Sequence, residues 1–446
     1  MKNINTRRLA SVGAAFALCA ALVAAGSSLA SAGATKTPGL TSKQITIGAT
    51  VPLTGIASSG YNEVAKAANA VFNYVNKKGG INGRKIKYIL KDDCYGTPGF
   101  GCTGTPSTVT QTHALLSVPV FATVGSLGTP TQDSVRSLLK QNGVPQLFVN
   151  SGSRDWNNPT TYPGLYGWQT SYNEEGKIFA KYINATYSGA NVCFLGQGDD
   201  FGTDGLAGLV GGGLTPLDTQ LYSVGALVVS QGASLAPYVA RFQSEKCTVV
   251  VLDTIPGATD AALGAALKLG YTPHWVISSV GSDPSTVYAP FASLGFDPEV
   301  GAVSFSFLPV PGSTSPWIPW MRKVLTADKA QFPTFTSATT LDGNMEYGIG
   351  WGVAFVEALK AAGKTFTRAS FLKTLDSTTF SQTPSLTPLR YTTQDHQGLN
   401  GGFLTSVTSA TAVAPITGKI YTTDSTPSGP VVSAKKTSSG IPSWLK

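Results

Sequence analysis

The side chains that most often perform catalysis are few and widely separated in this chain. Its three histidines are His113, His274 and His396. The sequence contains no Gly-x-Ser-x-Gly segment, which would expose a nucleophilic serine, and no His-Glu-x-x-His segment, which would hold zinc. This pattern indicates a protein that is not an enzyme. A hydrolase with a scattered Ser/His/Asp set is the alternative.

No cofactor or metal motif stands out either. The stretch Gly196–Gly202 follows an apolar segment but is one residue too long for a dinucleotide fingerprint. Its two aspartates, Asp199 and Asp200, would also repel a pyrophosphate. We therefore expect no cofactor.

The N-terminal segment predicts export. Lys2, Arg7 and Arg8 precede an apolar stretch from Leu9 to Ala25, and small residues follow it. This order is typical of a secretory signal peptide, and an uncleaved membrane anchor is the alternative. We predict a signal peptide over residues 1–32 and an exported protein in the periplasm or at the cell surface.

Four cysteines lie beyond the predicted signal peptide: Cys94, Cys102, Cys193 and Cys247. An even number of cysteines in an exported chain suggests two disulfides, although four cysteines allow three pairings. A glycine- and proline-rich loop between Cys94 and Cys102 favours that pair. The other pair follows because Cys193 and Cys247 each lie near the start of a predicted strand. Zinc binding is the rival, but no Cys-x-x-Cys pair exists.

Length and charge limit the remaining classes. A chain of 446 residues is long enough for two domains, and no later segment is apolar over a full membrane span. The formal net charge of +8 is spread along the chain rather than clustered. Nucleic-acid binding is therefore not expected.

Strand patterns alternate with helix patterns from Ile45 to Ser278. The first helix, for example, carries Val64, Ala68 and Val71 at helical spacing and ends at two glycines. One segment in the second half, Leu221 to Val229, is predicted as a strand. The alternation predicts an α/β fold with two doubly wound parallel-sheet lobes.

In open parallel sheets, ligands bind beyond the carboxyl ends of the strands. This rule nominates the loops that follow the predicted strands, and most of them contain small polar residues. The nominated loops are Thr54–Gly55, Ser126–Thr129, Ser151–Ser153, Gln197–Phe201, Asp253–Thr254 and Ser279–Asp283.

Five segments follow one another in a distinctive order. They are Ile47-Gly-Ala-Thr-Val-Pro-Leu-Thr-Gly55, Asn76-Lys-Lys-Gly-Gly-Ile-Asn-Gly-Arg84, Lys91-Asp-Asp93, Gly143-Val-Pro145 and Asp200-Phe-Gly202. This series resembles the Leu/Ile/Val-binding family of ABC-transporter solute-binding proteins. The resemblance implies a type I periplasmic-binding fold, in which two lobes are joined by three hinge crossings. It places the crossings near Gly167, Ser304 and Thr387. The implied division is a linker over 33–43, lobe 1 over 44–167 plus 305–387, lobe 2 over 168–304 plus 388–424, and a flexible tail over 425–446.

The same resemblance suggests ligand-binding residues. Thr129, Ser151 and Ser153 match the turns that hold the ligand's carboxylate and amine, and Phe201 matches an aromatic cover from the second lobe. Thr254 lies where the family has a tyrosine. Asp253 is nominated by its place at a strand end. Each of these residues has a structural alternative, because capping and turn roles use the same residue types.

One departure concerns the ligand. The family's acid that pairs with the ligand amine is missing from the loop Ser279–Ser282. A buried ammonium without an anionic partner is costly, so we predict a small amino-acid-like, carboxylate or amide ligand rather than plain leucine, isoleucine or valine. The implied partners are that ligand and the permease and ATPase of an ABC importer, with the protein as a monomer. A sensory ligand-binding subunit is the alternative.

Overall fold

The structure, a computed structural model, describes residues 37–96, 102, 107–434 and 439–446. The predicted signal peptide and the first residues of the predicted linker lie outside this part of the chain. Within it, no helix is both long and apolar enough to cross a membrane.

The first sheet has five strands, and its neighbouring strands run parallel. Seven of the eight residues of its first strand are buried, as expected where helices cover both faces. In spatial order the strands are β2 (Lys85–Asp92), β1 (Gln44–Val51), β3 (Thr123–Val124), β4 (Gln146–Val149) and β5 (Leu165–Gly167).

The second sheet joins a parallel core to an antiparallel edge. Its parallel strands, in spatial order, are β7 (Asp218–Tyr222), β6 (Val192–Gln197), β8 (Val249–Asp253), β9 (His274–Ile277) and β10 (Val303–Ser306). The antiparallel strands beyond β10 are β13 (Gly401–Ser409), β14 (Ala412–Pro415), β15 (Ile420–Thr422) and β16 (Val432–Ala434). A separate ribbon pairs β11 (Thr379–Phe380) with β12 (Leu389–Arg390).

The described residues also form twelve α-helices. They are α1 (Tyr61–Lys77), α2 (Thr108–Leu116), α3 (Thr129–Gln141), α4 (Tyr172–Thr186), α5 (Asp200–Gly211), α6 (Val224–Ser230), α7 (Ala236–Ser244), α8 (Pro256–Leu269), α9 (Pro284–Val287), α10 (Trp317–Ala327), α11 (Gly343–Ala362) and α12 (Arg368–Ser377).

The chain passes between the two sheets three times. It leaves the first sheet after β5, returns after β10 as α10 to α12, and rejoins the second sheet at β13. Helix α11 belongs with the first sheet because Trp351 and Phe355 pack on Phe72 of α1, with ring centroids 6.0 and 5.9 Å apart. The first lobe is therefore the first sheet with α1–α3 and α10–α12, and the second lobe is the second sheet with α4–α9. The predicted fold class is confirmed, whereas the predicted domain boundaries stay a proposal.

One predicted element is wrong. The segment Leu221 to Val229 is not a single strand, because β7 ends at Tyr222 and helix α6 begins at Val224. The hydroxyl of Ser223 accepts a hydrogen bond from the backbone N–H of Ala226 at 3.5 Å. A serine cap at the start of a helix thus prevails over the β-branched composition of this segment.

The segment predicted as a flexible tail is partly ordered. Val432–Ala434 forms the edge strand β16, which pairs with β15. Leu445 is 1% exposed, and its carbonyl accepts a hydrogen bond from the indole of Trp320 in the first lobe at 3.3 Å. Apolar residues near the C-terminus therefore pack against the fold, which the Ser/Pro/Lys composition of the segment does not indicate.

Both expected disulfides are present. Cys94 is joined to Cys102, with their Cα atoms 6.0 Å apart. Cys193 is joined to Cys247, with their Cα atoms 5.8 Å apart, because β6 and β8 are neighbouring parallel strands.

Candidate ligand-binding site

A cavity of about 140 Å³, the central cavity, lies between the two lobes. The first lobe contributes Leu127 and Asn150, which follow β3 and β4. The second lobe contributes the loop Ser279–Ser285, which follows β9. The cavity thus lies beyond the carboxyl ends of parallel strands from both sheets, where ligand sites of open α/β sheets form.

Direct hydrogen bonds join the lobes around the central cavity. The hydroxyl of Tyr61 donates to the carbonyl of Val280 at 2.8 Å. The side-chain amide of Asn344 donates to the hydroxyl of Thr286 at 3.3 Å. These contacts show the two lobes closed on the cavity.

An ion pair also joins the lobes. Arg154, which follows β4, pairs with Asp204 of α5 at 2.7 Å through Nη2 and at 2.8 Å through Nε. The backbone N–H of Arg154 donates to the other carboxylate oxygen of Asp204 at 2.8 Å. Because the side chain of Asp204 is only 7% exposed, this pair is anchored in the second lobe.

Three buried hydroxyls form a cluster beside the cavity. The oxygens of Thr129 and Ser151 are 2.7 Å apart, and the hydroxyl of Tyr172 lies 3.4 and 3.3 Å from them. Burial raises the pKa of Tyr172 to about 12, so its hydroxyl stays protonated. The hydroxyls of Thr129 and Ser151 are therefore engaged with each other and with Tyr172.

Carboxylates occupy one end of the central cavity: Asp283 from the second lobe, and Asp342 and Glu346 at the start of α11 in the first lobe. Asp342 accepts from the backbone N–H of Met345 at 2.7 Å, and Asp283 accepts from that of Gly343 at 2.7 Å. Glu346 is 2% exposed. Burial, followed by the nearby charges of Asp342 and Asp283, raises the pKa of Glu346 well above its ordinary value.

Aromatic rings form much of the remaining wall. Tyr61, Tyr95, Tyr172 and Tyr347 line the cavity together with the short segment Phe305–Phe307. The hydroxyl of Tyr347 donates to the side-chain oxygen of Gln169 at 2.6 Å, so its ring is held in place. None of the described residues that line the cavity is a lysine, an arginine or a histidine. Among the described residues, no group of three or more His, Cys, Asp or Glu side chains is placed to hold a metal ion.

A family model described as "Periplasmic binding protein" matches residues 44–412, which is most of the chain. The chain belongs to the periplasmic binding protein family. This is a family of binding proteins rather than of enzymes, and the resemblance seen in the sequence segments is confirmed.

Individual relatives agree with this assignment. The Leu/Ile/Val-binding protein BraC3 of Rhizobium johnstonii is 26% identical over 214 residues, which cover 46% of this chain and 53% of that protein. The chain therefore spans about half the length of this curated relative.

Solved structures share the fold. A fatty acid ABC transporter substrate-binding protein from Thermomonospora curvata matches with a TM-score of 0.68 and 18% identity, covering 92% of this chain and 95% of that one. A branched chain amino acid ABC transporter structure from Thermus thermophilus, with bound valine, matches with a TM-score of 0.68 and 17% identity, covering 85% of this chain and 97% of that one.

The six ligand-binding residues predicted for this binding protein are buried, and none of them lines the central cavity. Ser153 caps a short turn by accepting from the N–H of Asp155 at 3.1 Å. Phe201 packs on Tyr172 with ring centroids 4.4 Å apart. The hydroxyl of Thr254 lies 2.7 Å from that of Thr259. Their role in ligand binding stays a prediction, as does that of Thr129 and Ser151.

Asp253 has a different environment. It is 4% exposed and packs against the backbone of Gly205, where a side chain would collide with its carboxyl. Burial, together with the charges of Glu175 and Asp204, raises its pKa well above the ordinary value. Asp253 therefore belongs to a buried cluster of carboxyl groups in the second lobe. Its contact with a ligand stays a prediction.

Sequence reasoning missed the residues that line the cavity from helices. Tyr61, Tyr172, Asp342, Glu346 and Tyr347 all lie in or next to the first turns of α1, α4 and α11. A signal existed for one pair, because Asp342 and Glu346 are four residues apart and share a helix face. The nominated loop Ser279–Asp283 did include Asp283.

A carboxylate that the sequence did not nominate reaches the loop where the family's acid is missing. Glu175 accepts from the backbone N–H of Ser279 at 2.7 Å and from its hydroxyl at 2.8 Å. Burial raises the pKa of Glu175 to about 7. Glu175 thus holds this loop in place from α4.

Proposed function

We propose that the protein is an extracytoplasmic solute-binding protein of an ABC importer, which closes its two lobes on a small ligand in the central cavity. The observation that carries this proposal is the cavity itself, which is enclosed by the facing ends of two parallel sheets. Membership of the periplasmic binding protein family supports it, as do the functions named for the similar proteins above.

The mechanism follows from the contacts between the lobes. The ligand docks on one open lobe, and the second lobe then closes over it. Closure forms the bonds from Tyr61 to Val280 and from Arg154 to Asp204. A ligand that makes contacts only in the closed form shifts the population toward it. The permease of the importer, driven by its ATPase, would recognise the closed form of a monomer.

The predicted ligand is amino-acid-like, a carboxylate or an amide, and a carboxylate would need hydroxyls that are open to the cavity. Thr129 and Ser151 instead bond to Tyr172, and no lining residue of the described part carries a positive charge. An amino-acid-like ligand with a positive group fits these walls better than an anion.

The experiment has two parts. Native mass spectrometry of the exported protein would identify a small molecule carried through purification, and small-angle scattering would measure the radius of gyration with and without it. We expect a bound compound and a smaller radius on its addition. A protein that carries no compound and keeps one radius in every condition would contradict the proposal.

A further inference from the structure

The charge of the central cavity is one-sided. Asp283, Asp342 and Glu346 line it, and its described lining residues include no cationic side chain. Asp283 and Asp342 also cap helices, since they accept from the N–H groups of Thr286 and Met345. Capping explains these two acids without a ligand.

Glu346 has no such explanation. It is 2% exposed, and within the described part of the chain its Oε1 has no hydrogen-bond partner. Arg322 is the basic group that acts on it, but the guanidinium of Arg322 donates to the carbonyls of Ser337 and Thr339. An unpartnered carboxyl at the wall of a cavity is costly unless a ligand satisfies it.

Closure increases this cost. Asp342 and Glu346 belong to the first lobe, whereas Asp283 belongs to the second, so closing the lobes brings three carboxyl groups together. Burial, followed by the repulsion between their anionic forms, raises the pKa of Asp342 and of Glu346. A cation between them would remove the repulsion and would bind the closed form better than the open one.

The rest of the wall selects the kind of cation. The rings of Tyr61, Tyr347 and Phe305 line the cavity, and aromatic faces attract organic ammonium groups. The described residues offer no metal site. The hydroxyls suited to an anion are engaged by Tyr172.

We propose that the central cavity binds a small organic cation, an amine or quaternary ammonium compound without net negative charge. Its nitrogen lies among Glu346, Asp342 and Asp283, and its carbon atoms lie against the aromatic wall. This inference rests on the proposed function and names the ligand class of the same site.

Titration calorimetry on the exhaustively dialysed protein tests the proposal. Putrescine, choline and ethanolamine are the cationic probes, and leucine, its α-keto acid and acetamide are the comparators. We expect a cationic probe to bind and the keto acid not to bind. Glu346→Gln should weaken that binding at least about ten-fold, because the negative charge that pairs with the ammonium group is lost.

Glu357→Gln is the matched control. Glu357 lies on the same helix, its pKa is also raised by burial, to about 7, and it does not line the cavity. Its substitution should leave the affinity unchanged. If Glu346→Gln melts at a lower temperature than Glu357→Gln, the affinity for the cationic probe is measured instead on Asp283→Asn, which changes the second lobe.

The outcomes separate the two proposals. If leucine, the keto acid or acetamide binds and compacts the protein while no cation binds, the cation proposal is wrong and the binding function stands. Cation affinity that is equal in wild type, Glu346→Gln and Asp283→Asn also overturns it. If no probe binds and no compound is carried through purification, both proposals fail.

Discussion

The hydrogen bonds of single residues explain why the predicted ligand-binding residues are not the residues that line the cavity. Ser151 and Ser153 follow a strand, as the sequence indicates, but their hydroxyls bond to Thr129, Tyr172 and the backbone of Asp155. The sequence shows which residues are polar and follow a strand. It does not show that a tyrosine from another helix meets them first.

This difference gives a prediction for Ser151→Ala combined with Ser153→Ala. Both side chains are buried and bonded, so we expect the double variant to lower the free energy of unfolding by about 1 to 3 kcal/mol. Denaturant unfolding measures it, and Ser117→Ala, an exposed serine, is the control. If the double variant keeps wild-type stability but loses affinity for the co-purified compound, these hydroxyls bind the ligand.

Glu175 gives a prediction about pH. A glutamate titrates near about 4.3 in an unfolded chain, whereas burial raises the pKa of Glu175 to about 7. Because the folded protein holds this proton more tightly, the stability it contributes is present below about pH 4.3 and is lost as the pH rises through about 7.

We therefore expect Glu175→Gln, which cannot ionise, to reduce the loss of stability between pH 5 and pH 8 by about 2 to 3 kcal/mol. Unfolding curves at both pH values measure this, with the exposed Glu245→Gln as the control. Parallel profiles for wild type and Glu175→Gln would contradict the assignment.

At the scale of elements, alternation predicted most of the fold and composition misled at two places. The parallel strands β1 to β4, β6, β8 and β9 follow from apolar segments separated by helical patterns, whereas β5 and β10 were not predicted. The structure after Tyr222 was not predicted. The serine cap of a short helix there has a stronger effect than the strand preference of its three valines. The C-terminal segment was not predicted either, because Leu445 depends on partners in α10 that are far away in sequence.

The packing of Leu445 is a testable property of that segment. Its side chain is 1% exposed within a large buried apolar cluster that includes residues of α10, so we expect Leu445→Ala to lower the free energy of unfolding by about 2 to 4 kcal/mol. Ser443→Ala, two residues before it and exposed, should change little. Thermal unfolding of both variants measures the difference. An equal, small effect would show that the segment is not held in solution.

At the scale of the whole molecule, the site exists only where the lobes meet. Asp283 comes from one lobe and Glu346 from the other, and no pattern within either segment places them together. The sequence therefore predicted the lobes and the strand ends. It did not predict that the first turns of α9 and α11 meet at the cavity, because that contact forms only when the three crossings bring the lobes together.

The ion pair of Arg154 with Asp204 tests closure at this scale. It joins the lobes, so it contributes to the closed form and is lost in the open form. We expect Arg154→Gln to speed dissociation of the co-purified compound about two- to five-fold, because a partly exposed ion pair contributes up to about 1 kcal/mol. Stopped-flow dissociation measures the rate.

Arg136→Gln is the matched control for this change. Like Arg154, Arg136 forms ion pairs with aspartate. Its partners are Asp133 and Asp155, and all three residues lie in the first lobe. Its substitution removes comparable pairs without affecting the contact between lobes, so it should leave the dissociation rate unchanged. Equal rates for the two variants would mean that Arg154 and Asp204 do not hold the lobes together. In that case the bonds from Tyr61 and Asn344 would be the contacts that stabilise closure.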